Sequence, residues 1–107
     1  MSDLNSVSLV GRLVRDVELK YTKNNCAHTI ATIAVNRSIL QNGKWENEAN
    51  YINVEIWGKQ AETVKQHSGS GKLIAIQGQL VQKRWETNTG EKKSQLCVNV
   101  NSVHLIP

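Results

Sequence analysis

The sequence has 107 residues, of which 39% are hydrophobic and 21% are charged, and its formal net charge is +4. This length predicts a single domain, residues 1–107, with one modest core, and the composition excludes extensive disorder. No apolar run approaches the ~20 residues that cross a bilayer, and the N-terminus lacks the features of a signal peptide. We therefore expect a cytoplasmic protein with no membrane partner. Its mild basicity permits a polyanionic ligand without requiring one.

A period of two in hydrophobicity dominates the chain and predicts β-strands. The first run, SVSLVGRLV at 6–14, contains Gly11, which predicts a bulge or tight bend of the kind that closes a barrel. This strand could continue over 17–21 after a kink. Further β-rich runs lie at 28–37, 51–57, 72–81 and 94–106. The parity of the apolar residues changes within the last run, which predicts a bulge near Asn101 or Ser102.

One segment, GKQAETVKQH at 58–67, has a helical pattern, with Ala61 and Val64 on one side. It lies between the third and fourth strong strands. An all-β fold with one short helix in this place predicts a five-stranded Greek-key barrel of the OB type, with long β-hairpin extensions. An SH3-like barrel or a small sandwich also fits the pattern.

The run YINVEIW at 51–57 has an unusual outer face. If Ile52, Val54 and Ile56 face the core, the alternate residues point outward. These residues are Tyr51, Asn53, Glu55 and Trp57. Two aromatic rings on an outer face either pack under a loop or partner subunit or form a stacking platform for unpaired bases.

The segment VQKRWETNTGEKK at 81–93 predicts a hairpin that turns near residues 88–90. Trp85 follows Lys83 and Arg84 on its first arm, and two further lysines lie on the second. A tryptophan flanked by cations suits a nucleic-acid strand, because the ring stacks on a base while the cations meet phosphates. The alternative is a solvated hairpin whose tryptophan lies back on the barrel or packs across a subunit contact.

A second hairpin is predicted at 38–51, with Asn42-Gly43 as its turn. It carries Trp45, but Glu46 and Glu48 weaken the case for phosphate contact. Trp45 therefore has two open interpretations, covering the barrel or binding a ligand.

No catalytic constellation emerges from the sequence. The histidines His28, His67 and His104 have no triad partner nearby and are expected on the surface or at strand ends. The segment SGSGK at 68–72 departs from a phosphate-binding loop, because Leu73 replaces the hydroxyl residue and a strand follows. Two isolated cysteines suit a reducing compartment and supply no metal-ligand spacing. We expect neither an enzyme nor a metal site.

Five stretches, in this order, resemble the bacterial-type single-stranded DNA-binding protein family (SSB family). They are NSVSLVGRLVRDVELKY, ATIAVNR, YINVEIWGKQAE, IQGQLVQKRWETNTGEK and VNV, and together they span nearly the whole chain. The resemblance implies an OB-fold that binds single-stranded DNA without strong sequence preference, in replication, recombination and repair. It also implies a homotetramer built as a dimer of dimers, a location on the nucleoid or in an organelle, and neither catalysis nor a cofactor.

The resemblance assigns roles to individual positions. Tyr51 and Trp57 match the base-stacking aromatics of the central strand, and Trp85 matches the stacking tryptophan at the root of the long hairpin. Basic positions of the family are matched by Arg12, Lys20, Arg37, Lys59 and Arg84. We expect these cations, together with Lys83, to neutralise phosphates and release counterions while the rings stack on bases.

The chain departs from the family at several points. The aromatic that often follows the AVNR strand is missing, and Trp45 could substitute for it. Ile52 stands where some members have a histidine at a subunit contact. The sequence ends at Pro107, whereas the family continues to an acidic tip that recruits replication and repair proteins, so such partners remain open. Alternatives are a diverged accessory OB-fold protein, primosomal or organellar, that acts mainly through protein contacts, and an RNA-binding OB module.

Overall fold

The computed structural model describes residues 2–107, as six strands and one helix. The elements are β1 (Val7–Leu13), β2 (Lys20–Tyr21), β3 (Ala27–Gln41), β4 (Lys44–Trp57), α1 (Gly58–His67), β5 (Leu73–Glu86) and β6 (Lys92–Leu105). The predicted helix over 58–67 is confirmed. The predicted strand over 17–21 forms only at its end, as β2, because Val17 turns into the core, where it is 4% exposed. Asp16 Oδ1 also accepts the Ser70 backbone N–H at 2.7 Å, which holds this segment against the loop after α1.

Strand pairing closes a five-stranded barrel. β3 pairs antiparallel with β4, β5 pairs antiparallel with β6, and the two hairpins join by a short parallel pairing that includes Glu55 and Asn99. β1 closes the ring because it pairs with β5 over Val7–Arg12 and with β3 at Arg12 and Leu13. The five long strands thus follow the order β1-β3-β4-β6-β5. This is a Greek-key barrel of the OB type, so the predicted fold class is confirmed.

Two close approaches make this closure possible. A Cβ on Gly11 would lie 2.7 Å from the Ala34 carbonyl oxygen, at the point where β1 passes from β5 to β3. Gly11 therefore marks the predicted bend, and the pairing of β1 with β5 shows no register shift there. A Cβ on Gly78 would overlap the Asn99 carbonyl oxygen, opposite the single register shift of β5 and β6. The shift leaves Asn101 unpaired, which confirms the predicted bulge.

The core fills the barrel and is closed on one side by the helix. Val54 and Ile56 of β4 are fully buried, as the alternation predicted, and Ile52 is half-buried. Ala61 and Val64 of α1 are also fully buried, and the helix contacts β3, β4 and β6. Among residues 2–107, no helix combines the length and hydropathy that crossing a bilayer requires.

Both predicted hairpins extend away from the core as exposed two-stranded arms. The β3–β4 hairpin turns at Asn42 and Gly43, whose φ angles of 53° and 77° are those of the two-residue turns that match strand twist. The β5–β6 hairpin turns between Glu86 and Lys92. The two hairpins thereby present a long surface outside the barrel.

Candidate nucleic-acid interface

β4 carries three aromatic side chains on one face. Trp45, Tyr51 and Trp57 are separated by even numbers of residues, and the pairing of β4 with β3 has no register shift along its length. Side chains at such spacings point to the same side of a strand. Their exposed fractions are 72%, 70% and 40%, respectively. The predicted outer face of β4 therefore presents accessible rings, and Trp45 does not cover the barrel.

Trp85 lies on the same face of the sheet, although it comes from the other hairpin. Residues paired across strands share a face. The pairing links Glu55 of β4 to Asn99 of β6, and Asn99 to Gln79 of β5. Trp85 is an even number of residues beyond Gln79 with no register shift between them, and it is 47% exposed. We call Trp45, Tyr51, Trp57 and Trp85 the aromatic face.

A buried carboxylate lies within this face. Glu55 is 4% exposed, although alternation alone puts it on the outer side of β4. Lys83 Nζ lies 2.9 Å from Oε2 and 3.0 Å from Oε1, and the Trp57 indole Nε1–H donates to Oε1 at 3.0 Å. Burial raises the pKa of Glu55, but the hydrogen bonds from Lys83 and Trp57 and the charge of Lys83 outweigh it and leave the pKa below its ordinary value.

His28 covers part of the Trp57 ring. The two rings stack with centroids 4.0 Å apart and planes at 27°, across the paired strands β3 and β4. His28 Nε2 also lies 3.5 Å from Glu55 Oε2. His28, expected on the surface or at a strand end, lies near the start of β3 with its side chain 21% exposed. His28 therefore covers one face of the Trp57 ring, and Glu55 holds its N–H edge. The rest of the ring is exposed to solvent.

The three predicted lysines lie on or beside the aromatic face, and they differ in their contacts. Lys20 of β2 pairs with His28 of β3, so it extends this face beyond Trp57. Lys59 lies in the first turn of α1, directly after the strand that carries Trp57, and is exposed. Lys83 lies on the face but forms the ion pair with Glu55, so its charge is locally balanced.

The predicted arginines are engaged by other groups. Arg12 donates to a backbone carbonyl of the loop before β5 at 3.0 Å. Arg37 forms an exposed ion pair with Glu48 at 3.2 Å on the β3–β4 hairpin. Arg84 emerges from the side of β5 opposite to the aromatic face and donates to Gln82 Oε1 at 2.6 Å. The register puts Arg12 on the side of the aromatic face, because Arg12 pairs with Ala34, the partner of Tyr51, and it puts Arg37 and Arg84 on the opposite side.

Two grooves include residues of the aromatic face. One, of about 480 Å³, lies on the β5–β6 hairpin and is lined by Gln82, Arg84, Trp85, Glu86, Lys92, Lys93 and Ser94. We call it the Trp85 groove. Of its three cations, Lys93 shares the face of Trp85, whereas Arg84 and Lys92 lie on the other side of the hairpin. The other groove, of about 360 Å³, is lined by residues of β1 and of both hairpins, with Tyr51, Asn53 and Gln95 among them.

Sequence reasoning missed three residues of this surface. Alternation predicts that Glu55 is an exposed polar residue, but it is buried against Lys83 from a distant strand. His28 gave no sign that it would stack on Trp57, since their contact requires the β3–β4 register. Lys93 is one of the two lysines on the second arm of the hairpin, and the structure makes it the cross-strand partner of Trp85. The predicted turn of the β5–β6 hairpin was the one sequence signal that could have suggested the pairing of Lys93 with Trp85.

Comparison with known proteins identifies what the chain is similar to. Residues 4–106 match the model of a family described as "Single-strand binding protein family". The single-stranded DNA-binding protein of Treponema pallidum is 39% identical over 106 residues, which cover 99% of this chain and 60% of the relative. That of Halalkalibacterium halodurans is 40% identical over 103 residues, which cover 96% of this chain and 61% of the relative. The chain thus spans about three fifths of the length of these two relatives.

A solved structure shows the same fold. A crystal structure of a deletion mutant of the single-stranded DNA binding protein from Thermus aquaticus superposes with a TM-score of 0.84 and is 28% identical in sequence. The match covers 97% of this chain and 51% of the other chain. The similarity therefore extends over the barrel and both hairpins.

Proposed function

Because the chain belongs to the single-strand binding protein family, we propose that it binds and protects single-stranded DNA, without strong sequence preference and without catalysis. The observation that carries this function is the aromatic face, where four exposed rings from two hairpins lie on one side of one sheet. Every base has a π-face, so stacking on aromatic rings tolerates any sequence and contributes ~1–3 kcal/mol per base.

In the proposed mechanism, bases stack on Tyr51, Trp57 and Trp85, and Trp45 extends the platform along the β3–β4 hairpin. Lys20, Lys59 and Lys93, the cation of the Trp85 groove that shares this face, neutralise phosphates and release counterions. Binding to the unpaired strand alone shifts the duplex equilibrium toward open DNA by mass action. This activity suits replication, recombination and repair on the nucleoid.

We further propose that the protein acts as a homotetramer. One OB barrel provides a site for ~4–16 nucleotides. An assembly that links several such sites on one strand gains affinity without any new contact within a site. Light scattering across a range of protein concentrations measures the mass directly, and a purely monomeric species at the concentrations used for binding would rule the tetramer out.

Titration with oligo(dT), oligo(U) and duplex DNA at matched salt, followed by tryptophan fluorescence, tests the proposed function. We expect strong quenching by oligo(dT) and little by duplex, because only unpaired bases can reach the rings. Equal quenching by oligo(U) would indicate a general or RNA-binding OB module. The absence of quenching by any oligonucleotide would reject the proposal in favour of a role through protein contacts.

A further inference from the structure

Glu55 is an unexpected residue on a surface that meets a polyanion. A carboxylate repels phosphates, and a buried carboxylate is costly unless it is paired. Glu55 is nevertheless 4% exposed and lies on the same strand face as Tyr51 and Trp57. Glu55 must therefore contribute something to this surface that offsets the repulsion between its charge and the phosphates.

One effect of Glu55 concerns the orientation of Trp57. The indole N–H donates to Glu55 Oε1 at 3.0 Å, and His28 stacks on the ring at 4.0 Å. Together these contacts hold the edge and one face of the ring. A ring that is already oriented loses less rotamer freedom when a base stacks on it, so more of the stacking energy appears as affinity.

The other effect concerns the charge of Lys83. Its ammonium group lies 2.9 Å from Glu55 Oε2, and the lysine side chain is 46% exposed. The Glu55 side chain is 6% exposed, so water screens this pair less than it screens the surface pair of Arg37 and Glu48. The positive charge of Lys83 is therefore largely balanced before any DNA arrives.

We propose that Glu55 is a positioning residue of the aromatic face, which orients Trp57 for base stacking and keeps Lys83 from acting as a phosphate contact. This inference rests on the proposed function. The centre of the face then contacts bases, and the phosphates are contacted by Lys20, Lys59 and Lys93.

The salt dependence of oligo(dT) binding tests the effect on Lys83. Glu55→Gln keeps an oxygen that can accept the Trp57 N–H but removes the negative charge. With Lys83 released, we expect the slope of log K against log salt to steepen by ~0.7, the contribution of one phosphate contact on a single strand. The second variant, Glu55→Gln with Lys83→Met, should return the slope to that of the unaltered protein.

A matched control is Glu46→Gln, because it removes the same charge from an exposed position on the other side of β4. We expect its slope to remain within error of the unaltered protein. A Glu55→Gln slope equal to that of the unaltered protein, or an equal steepening in Glu46→Gln, would overturn the inference about Lys83.

Hydrogen exchange of the indole N–H groups tests the orientation of Trp57 without DNA. In the unaltered protein we expect the Trp57 N–H to exchange with water more slowly than that of Trp45, which is 72% exposed. Glu55→Ala should accelerate the exchange of Trp57, and Glu55→Gln should restore protection, with Trp57→Phe identifying the signal. Exchange at Trp57 that is unchanged in Glu55→Ala overturns the positioning role. Failure of the unaltered protein to bind oligo(dT) is a separate result, which rejects the proposed function and this inference with it.

Discussion

His28 and Trp57 stack at 4.0 Å across neighbouring strands, so a ring of the aromatic face rests on a histidine and not on the barrel core. The contact supports the Trp57 ring although the residue is 40% exposed. It also couples the start of β3 to the end of β4, next to the helix that carries Lys59. Trp57 is thereby supported at the junction of barrel, hairpin and helix.

The first prediction concerns this stack. Stacked aromatic pairs contribute ~0.5–1.5 kcal/mol beyond the area that they bury. We expect His28→Ala to lower the free energy of unfolding by about 1 kcal/mol, and His28→Phe to preserve most of it. Denaturant unfolding followed by circular dichroism measures both. His104→Ala, at an exposed position of β6, is the control, and an equal loss in that variant would contradict the specific role of the stack.

The second prediction separates stacking from charge at Trp85. Trp85→Ala should weaken oligo(dT) binding by ~1–3 kcal/mol with little change in salt slope, because a neutral ring releases no counterions. Trp85→Phe should retain much of the affinity. Fluorescence titration at several salt concentrations gives affinity and slope together. Unaltered affinity in Trp85→Ala at matched salt would remove the β5–β6 hairpin from the interface.

The third prediction concerns Lys59, where substitution should change the salt dependence of binding. This lysine is exposed in the first turn of α1 and has no ion-pair partner among residues 2–107. Lys59→Ala should flatten the salt slope by ~0.7, the value for one phosphate contact on single-stranded DNA. Lys65→Ala, on the same helix but tied to the Val17 carbonyl at 3.0 Å, serves as a control. Equal salt slopes for Lys59→Ala and the unaltered protein would show that Lys59 does not contact a phosphate.

The fourth prediction concerns stability in acid. The pKa of Glu55 is lowered from its ordinary value of 4.5, so the unfolded chain binds a proton more readily than the folded protein. The resulting stability is present above pH 4.5 and is lost as the pH falls through the lowered folded-state value. We therefore expect the stability advantage of the unaltered protein over Glu55→Gln to shrink in acid. Unfolding curves at pH 7 and at pH 3 provide the comparison, and an advantage that grows in acid would contradict it.

The fifth prediction concerns the two cysteines. Burial raises the pKa of the Cys97 thiol, and the charge of Glu55 raises it further, whereas Cys26 is half-buried in the loop before β3. Because the thiolate is the reactive form, a disulfide reagent at pH 8 should modify Cys26 rapidly and Cys97 only on unfolding. Spectrophotometric thiol counting with Cys26→Ala as control checks this. A fast thiol remaining in that variant would show that Cys97 is accessible.

Local pattern was enough to predict most of the secondary structure. The Asn42-Gly43 turn follows from the positive φ that both positions need, and the helix over 58–67 follows from its apolar spacing and the glycines after it. The bulge at Asn101 was visible because an extra residue in a strand reverses the parity of every side chain beyond it. The outward positions of Tyr51 and Trp57 follow from the same alternation.

The amino-acid sequence by itself determined the five long strands, the helix, both hairpins and the side of β4 that carries the rings, because these depend on residues close together in the chain. Only the tertiary structure decided that Trp85 shares this face, that His28 supports Trp57, and that Glu55 is buried against Lys83. Glu55 and Lys83 are 28 residues apart, and their contact exists only because the two hairpins join through β4 and β6. Alternation specifies the face of a strand, but the charge balance and burial on that face depend on which distant strands pair beside it.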